Sequence, residues 1–512
     1  MPRRKTSSFK LEKVTVRMYR PGLGDCFLLT FAGRQAGSLT ERHMLIDCGV
    51  LQGTAGGSER LRKIILDIQQ RTGGKLEALI VTHEHADHLS GFVDHQQLFQ
   101  SGFKVEQFWL GWTEDKDDPA VMQMYSTVRK VPLQVLQKAL EELEKAGSPN
   151  APYYQQLTQF LKDNGMEAVK GIARAQRKQP LYLSPEPGEQ GPTRVIERPD
   201  LGGVRFHVLG PPLDPAKLTR SDPPKTRLQL DQGMALNQAT AFSAAVLKLM
   251  EKDLPADSAF SAEDVKELFE LSLPFDSSQG IPLAALTAQA AAALPAAADD
   301  QAPWRQFLAE KYLAEDAAWQ RIDADWLESA GALALYLDGD INNTSLVLAI
   351  ELGAGGKVLL FAGDAQYGNW LSWAETPRGQ DLLRRTVLYK VGHHGSHNAT
   401  LIDGGLSLMG AAPGFDELTA MIPVDTEKAK TKRWRMPEQE LREKLVKQAR
   451  GRLILACEGL GGDSCADFAY RKPSHPPPAA RISLADWKKF TAAIEADPSP
   501  DGLWVAYSLL VG

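Results

Sequence analysis

The sequence predicts an α/β fold whose sheet core is assembled from both ends of the chain, with two helical insertions between the halves. Three observations predict it. Short apolar and β-branched runs separated by turn residues crowd the first 110 residues. Similar runs resume at residue 332 and continue to the end. The texture between them is helical, apart from one strand signal at 204–212. The two strand blocks read as the halves of a sandwich of sheets.

In order, strands are expected at 14–19, 26–31, 43–47, 76–82 and 105–111, with a helix at 60–70 where Leu61, Ile64, Ile65 and Ile68 keep helical spacing. Leu133, Leu136, Leu140 and Leu143 then mark an amphipathic helix that stops before Gly147, and 153–165 reads as another. A second helical block, about 236–330, contains a helix with a capping-box start at Ser261 and an Ala-rich junction at 277–298. Strands return at 332–339, 344–352, 357–364, 386–394, 418–424, 451–458 and 503–511. The core domain within 14–512 thus comprises 14–112, 200–212 and 332–512, with helical insertions at 113–199 and 213–331.

Composition narrows the function. Of 512 residues, 43% are hydrophobic and 24% charged, which supports a sizeable core and excludes global disorder. Lysine and arginine number 58 against 64 acidic residues, so any polyanion contact must come from a local basic patch. Cys26, Cys48, Cys457 and Cys465 form no CxxC pair, which fits a reducing compartment. Neither a signal peptide nor a convincing membrane span is expected, so the protein reads as cytoplasmic.

Six of the ten histidines fall in two short motifs. The first, Thr82-His83-Glu84-His85-Ala86-Asp87-His88, follows the strand at 76–82 directly. Three imidazoles crowded at a strand end would repel one another once protonated, and a divalent metal removes that conflict. In extended backbone His83 and His85 point the same way, while Asp87 and His88 reach a second point. The second motif, Gly392-His393-His394-Gly395-Ser396-His397, ends the strand at 386–394 and supplies at least one further ligand. Phe361-Ala362-Gly363-Asp364 presents a carboxylate at a sheet edge, and Asp47 in Leu45-Ile46-Asp47-Cys48-Gly49 is suited to orient a ligand from behind.

These stretches resemble the metallo-β-lactamase-fold hydrolases, and more finely the ComEC-type branch, named after the hydrolase domain of the competence DNA-uptake channel. The resemblance rests on VTVRMYRPGLGDCFLL, LIDCG, THEHADHLSG, INNTSLVLAIELGAGGKVLLFAGDA and YKVGHHGSHNAT, which anchor roughly 14–110 and 332–400. It implies a four-layer αββα sandwich with one or two divalent ions, zinc foremost and manganese the alternative. It implies that His83 and His85 hold one ion, that Asp87, His88 and His394 hold another, and that Asp364 bridges them. His394 is preferred to His393 because the family's strand-end histidine precedes a small hydroxyl residue by two positions, here Ser396. Asp47, Asn343, Ser345 and Ser396 are expected to support the ligands. Catalysis is expected to fall to Asp87 and Asp364, with His393 holding the electrophile's oxygen. One departure stands out: many members carry a further histidine where this chain has Gly210, and His207 is either a core histidine or a displaced ligand.

The expected activity is therefore metal-dependent hydrolysis of a phosphodiester in DNA, RNA or a nucleotide. The rivals are hydrolysis of a carboxylic ester, lactone or thioester, and a metal-binding or assembly subunit of a multi-protein system, defence included, with little catalysis. A protein partner would dock through the helical insertions. A weaker signal is the stretch 426–452, with ten Lys/Arg against four Glu and Trp434 among them. It reads either as a nucleic-acid-facing patch or as a solvated helix with Leu441 and Leu445 turned inward.

Overall fold

The structure, a computed structural model, describes residues 9–119, 165–220, 339–432, 434–457 and 480–511, with short pieces between them. Its strands are β1 (Lys10–Tyr19), β2 (Cys26–Gln35), β3 (Ser38–Cys48), β4 (Lys75–Leu76), β5 (Ala78–Ile80), β6 (Lys104–Val105), β7 (Phe108–Gly111), β8 (Leu181–Leu183) and β9 (Arg194–Arg198). They continue as β10 (Val204–Gly210), β11 (Val347–Glu351), β12 (Val358–Phe361), β13 (Thr386–Lys390), β14 (Thr419–Ile422), β15 (Leu453–Leu455), β16 (Ile494–Ala496) and β17 (Trp504–Leu510). The helices that bear on the site are α1 (Gly57–Thr72), α2 (Ala86–Asp94), α3 (Gln96–Gly102), α4 (Gly165–Ala175), α5 (Tyr367–Leu371), α6 (Thr426–Thr431) and α7 (Gln439–Gln448). The fold is mixed α/β. Chain contacts divide it into two units, one of Met1–Gln123, Lys162–Lys225 and Asp338–Gly512, the other of Met124–Leu161 and Thr226–Leu337.

Within the first unit, eight strands form a sheet in the order β16-β17-β1-β2-β3-β5-β7-β8, and seven form a second in the order β15-β14-β13-β12-β11-β10-β9. Alternation along β1 turns Val14, Val16 and Met18 into a core that also holds Phe27, Leu29 and Phe31 of β2 and Phe206, Leu348 and Phe361 of the second sheet. The rings cross between sheets: Phe27 meets Phe361 edge-on at 5.7 Å, and Trp109 meets Phe206 at 5.1 Å. The opposite face of the first sheet packs Leu28, Leu45, Leu79 and Leu110 against α1, α2, α3 and α4. Helix α1 buries Leu61, Ile64, Ile65 and Ile68, the stripe its spacing predicts. Each such buried aliphatic or aromatic side chain contributes roughly 1.5–3 kcal/mol.

Residues 165–199, assigned by the sequence to the first insertion, supply α4 and one edge strand to each sheet, β8 to the first and β9 to the second. The two strands are only three and five residues long, too short to stand out as strand signals. The strand expected at 332–339 lies mostly outside the described residues, and Gly339–Asn343 form a helical turn. Also outside them lie most of the helix expected at 153–165, the helix at Ser261 and the Ala-rich junction. Among the described residues, no helix is long and apolar enough to cross a membrane.

A pH dependence follows from β3. His43 is buried, its Nδ1 lies 3.0 Å from Thr30 Oγ1, and burial together with the Arg71 charge lowers its pKa to about 4. The unfolded chain binds this proton near pH 6.5, the folded one only near 4, so stability is lost as pH falls between them. Denaturant titrations at pH 7 and pH 4.5 are expected to show a loss on the order of 2 kcal/mol that His43→Gln removes. Equal acid sensitivity in wild type and variant would refute the assignment.

Candidate metal centre

The site is built where parallel strands end. β3 and β5 are parallel neighbours in the first sheet, and β12, β13 and β14 run parallel in the second. Their C-terminal ends release Asp47, the His83–His88 segment, Asp364 and the His393–His394 turn, and a backbone bond from Leu346 N–H to the Thr82 carbonyl (2.8 Å) joins the two edges. His85 is extended and α2 begins after it, so Asp87 sits in the first turn, where the helix dipole favours a carboxylate. Gly49 lets the chain pass directly beneath that turn: a Cβ there would stand 2.4 Å from the Asp87 carbonyl carbon.

Four expected ligands converge. Asp87, His88, Asp364 and His394 each offer an atom within 4.8 Å of the others. Each is aimed by a second contact. Asp47 accepts from Thr82 N–H (2.8 Å) and Thr82 Oγ1–H (2.7 Å), and its Oδ2 takes the His88 Nδ1 proton at 2.9 Å. His88 Nε2 is thereby turned to Asp364 Oδ2 at 3.2 Å, and neither atom has a hydrogen-bond partner among the described residues. His394 donates from Nδ1 to the Pro423 carbonyl (2.6 Å) and directs Nε2 at Asp87 Oδ2 (2.8 Å). His393 lies in the same left-handed turn, with φ 42° beside φ 52° for His394, and its backbone N–H donates to Asp364 Oδ1 at 2.9 Å.

Ser345 Oγ accepts from Asp364 N–H (2.9 Å), while Asn343 Oδ1 accepts from Gln366 and Asn369 N–H (3.2 Å each), so both residues hold the turn that carries Asp364. Ser396 donates to Asn398 Oδ1 at 2.9 Å. His83 and His85 form a separate pair, Nε2 to Nδ1 at 3.1 Å, with the His83 ring 4.2 Å from that of His88. His207 is not brought to this cluster: it is buried on β10 with Nε2 3.0 Å from Glu351 Oε2, in a pair completed by Arg385. No side chain fits at Gly210 either, because a Cβ there would meet the Asn369 amide at 2.5 Å.

Two site residues escaped the sequence reading. Lys390, at the end of β13, is buried with its ammonium between Asp25 Oδ2 and Asp364 Oδ1, the latter at 3.2 Å, and it also donates to the Gly363 carbonyl at 2.9 Å. A lysine interrupting the apolar strand before Gly-His-His was the available signal, and Asp25 stood within the stretch VTVRMYRPGLGDCFLL. Burial raises the Asp25 pKa against the pull of Lys390. Burial also opposes charge on His88 and His394, but the carboxylates around them outweigh it and raise both pKa values. For Asp364, His88 and Lys390 overcome burial and hold the carboxyl well below its usual range. His83 goes the other way: burial, then His88 and His85, push it down, which leaves the neutral imidazole a metal ligand must be.

The donor set fits a divalent cation. Two imidazoles and two carboxylates converge, orphaned donor atoms face each other, and carboxylates outnumber the one fixed cation. Fold and site together describe a mixed α/β protein with a His/Asp cluster that could hold a metal ion. Residues 20–100, from the end of β1 to α3, match the model of the metallo-beta-lactamase superfamily. Among solved structures, a beta-lactamase domain protein from Burkholderia ambifaria is similar at 14% identity over 50% of this chain and 83% of that one, with a TM-score of 0.19. No curated protein matches the sequence.

Two substitutions test this geometry. Asp47→Ala frees the His88 ring and is expected to weaken divalent-metal affinity roughly 10–100-fold by calorimetric titration; unchanged affinity would remove Asp47 from the orienting role. Lys390→Met leaves Asp25 and Asp364 buried without their cation and is expected to cost about 3–5 kcal/mol in urea denaturation without metal. An unshifted midpoint would show that the ammonium is not needed.

Proposed function

We infer that this chain is a metal-dependent hydrolase on an αββα frame, acting on phosphodiesters through water rather than through a protein nucleophile. The observation that carries the metal-dependent part is the Asp87–His88–Asp364–His394 quartet, whose donor atoms lie within 4.8 Å of one another. The phosphodiester part rests on the resemblance to ComEC-type hydrolases.

The quartet would hold one ion, and His83 with His85 would offer two donors to a second. When bound, such an ion supplies an acidified water and positive charge for the oxygen on which negative charge develops. The chain's own groups do the rest. Asp87 is the least enclosed of the four, with a side chain 15% exposed, and stands ready to orient a water and take its proton. His394 keeps its Nδ1 proton on the Pro423 carbonyl, which leaves Nε2 for ligation. Asp364 has Oδ1 tied down by His393 N–H and Lys390, so Oδ2 is its free oxygen. His393, partly open to solvent and carried by the same turn as His394, would contact the oxygens of the substrate.

Elemental analysis beside hydrolysis of bis-p-nitrophenyl phosphate, with zinc or manganese added, tests the reading. Wild type is expected to bind metal and turn over. Asp364→Ala and His394→Ala are expected to lose metal and essentially all activity, and His393→Ala to lose roughly 10²–10⁴-fold with metal retained. Full metal content with activity on p-nitrophenyl acetate alone would move the substrate to carboxylic esters. Metal without activity on either would leave an assembly subunit.

A further inference from the structure

The basic stretch 426–452 lines the wall of a large groove. The cavity, about 1460 Å³, is lined by Lys430, Trp434, Arg435, Arg442, Lys447 and Arg481 among others. Small-molecule sites usually measure roughly 300–1,000 Å³, so this one suits an extended ligand. Its carboxylates are already engaged: Glu438 caps Leu441 N–H at 2.8 Å, and Glu443 accepts from Gln439 at 3.0 Å. Lys430 pairs with Glu427 outside the groove, but Arg435, Arg442, Lys447 and Arg481 have no carboxylate partner among the described residues. Trp434 is 39% exposed, more open than a tryptophan usually is.

The groove adjoins the metal centre through two backbone links. Glu438 N–H donates to the Gly395 carbonyl at 2.8 Å, and a Cβ on Gly395 would stand 2.8 Å from that of Pro437. The segment Met436–Glu438 is therefore both a wall of the groove and a neighbour of the turn bearing His393 and His394. On the opposite side, Thr426 opens α6 three residues after Pro423, whose carbonyl holds His394.

We propose that this groove binds a single strand of nucleic acid and feeds it to the quartet. Arginines and a lysine that have no carboxylate partner among the described residues meet the phosphates, and the open indole of Trp434 stacks on a base; together they are the recognition chemistry of a single strand. An acidic peptide would satisfy the charges but would leave the exposed indole without a role. The proposal rests on the hydrolase reading for its catalytic end, and on the groove alone for its binding end.

The test uses the full chain with metal and an Asp87→Asn substitution that arrests cleavage. Its binding to labelled single-stranded DNA and RNA and to a duplex of equal length is followed by fluorescence anisotropy over a range of salt. Single strands are expected to bind more tightly than the duplex. Trp434→Ala is expected to weaken binding roughly 5- to 100-fold. Arg442→Ala and Arg435→Ala are each expected to reduce the slope of log affinity against log salt by about 0.7. Duplex binding as tight as single-strand binding, or indifference to all three substitutions, would overturn the proposal. Hydrolysis of bis-p-nitrophenyl phosphate by the unsubstituted chain reports the other reading separately. Binding as expected without hydrolysis supports the groove and sinks the hydrolase; hydrolysis with no strand binding does the reverse.

Discussion

Lys390 is the charge on which the centre depends. A fully buried ammonium costs several kcal/mol in lost hydration, and it is tolerated only where carboxylates compensate it at contact distance. Asp25 and Asp364 do so, and they come from different sheets: Asp25 precedes β2 and Asp364 follows β12. The pair therefore acts as a clasp between the two sheet edges. It also settles which oxygen of Asp364 is spoken for. With Oδ1 held by Lys390 and by the His393 backbone, Oδ2 is left facing His88 with nothing to bond, the electrostatic condition a cation would relieve.

The remaining geometry follows from strand direction. Parallel neighbours deliver the residues after their C-terminal ends to one edge, and both sheets contribute such ends here. Asp87 and His394, 307 residues apart in sequence, thus meet at 2.8 Å. The turns that follow the strands are tight and left-handed at Asp47, His393 and His394, a conformation costly for residues with a Cβ and usually tied to function. Thr82 N–H donates to Asp47, His393 N–H donates to Asp364 and His394 donates to the Pro423 carbonyl, which holds these three turns in place.

The two halves of the His-rich motif are unequal. Asp87 and His88 find two partners from the second sheet and close a four-donor set. His83 and His85 pair with each other outside that set, and the Asn369 amide, tied to the Asn343 and Ser345 carbonyls at 3.0 Å, fills the space in front of Gly210. An ion at the quartet would meet a complete ligand set, while one at the histidine pair would need donors from water or substrate.

Sequence alone determined the mixed α/β character, most strand positions and the chemistry of the centre, because apolar runs and clustered histidines are local signals. Asp87, His88, Asp364 and His394 were legible as candidate ligands because each lies in a short motif just beyond a strand. What only tertiary structure decided was partnership across distance. The site role of Lys390 needs Asp25 beside it, and nothing near residue 390 reveals Asp25. His207 read as a core residue or a displaced ligand until Glu351, on the neighbouring strand β11 and itself paired with Arg385, appeared beside it. Strands β8 and β9 lie at sheet edges and run for only three and five residues, too short for a periodic pattern to stand out. The basic stretch 426–452 carried its charge openly, but whether that charge faced plain solvent or lined a groove depended on Arg481 and on the contact with Gly395, both set by packing rather than by spacing.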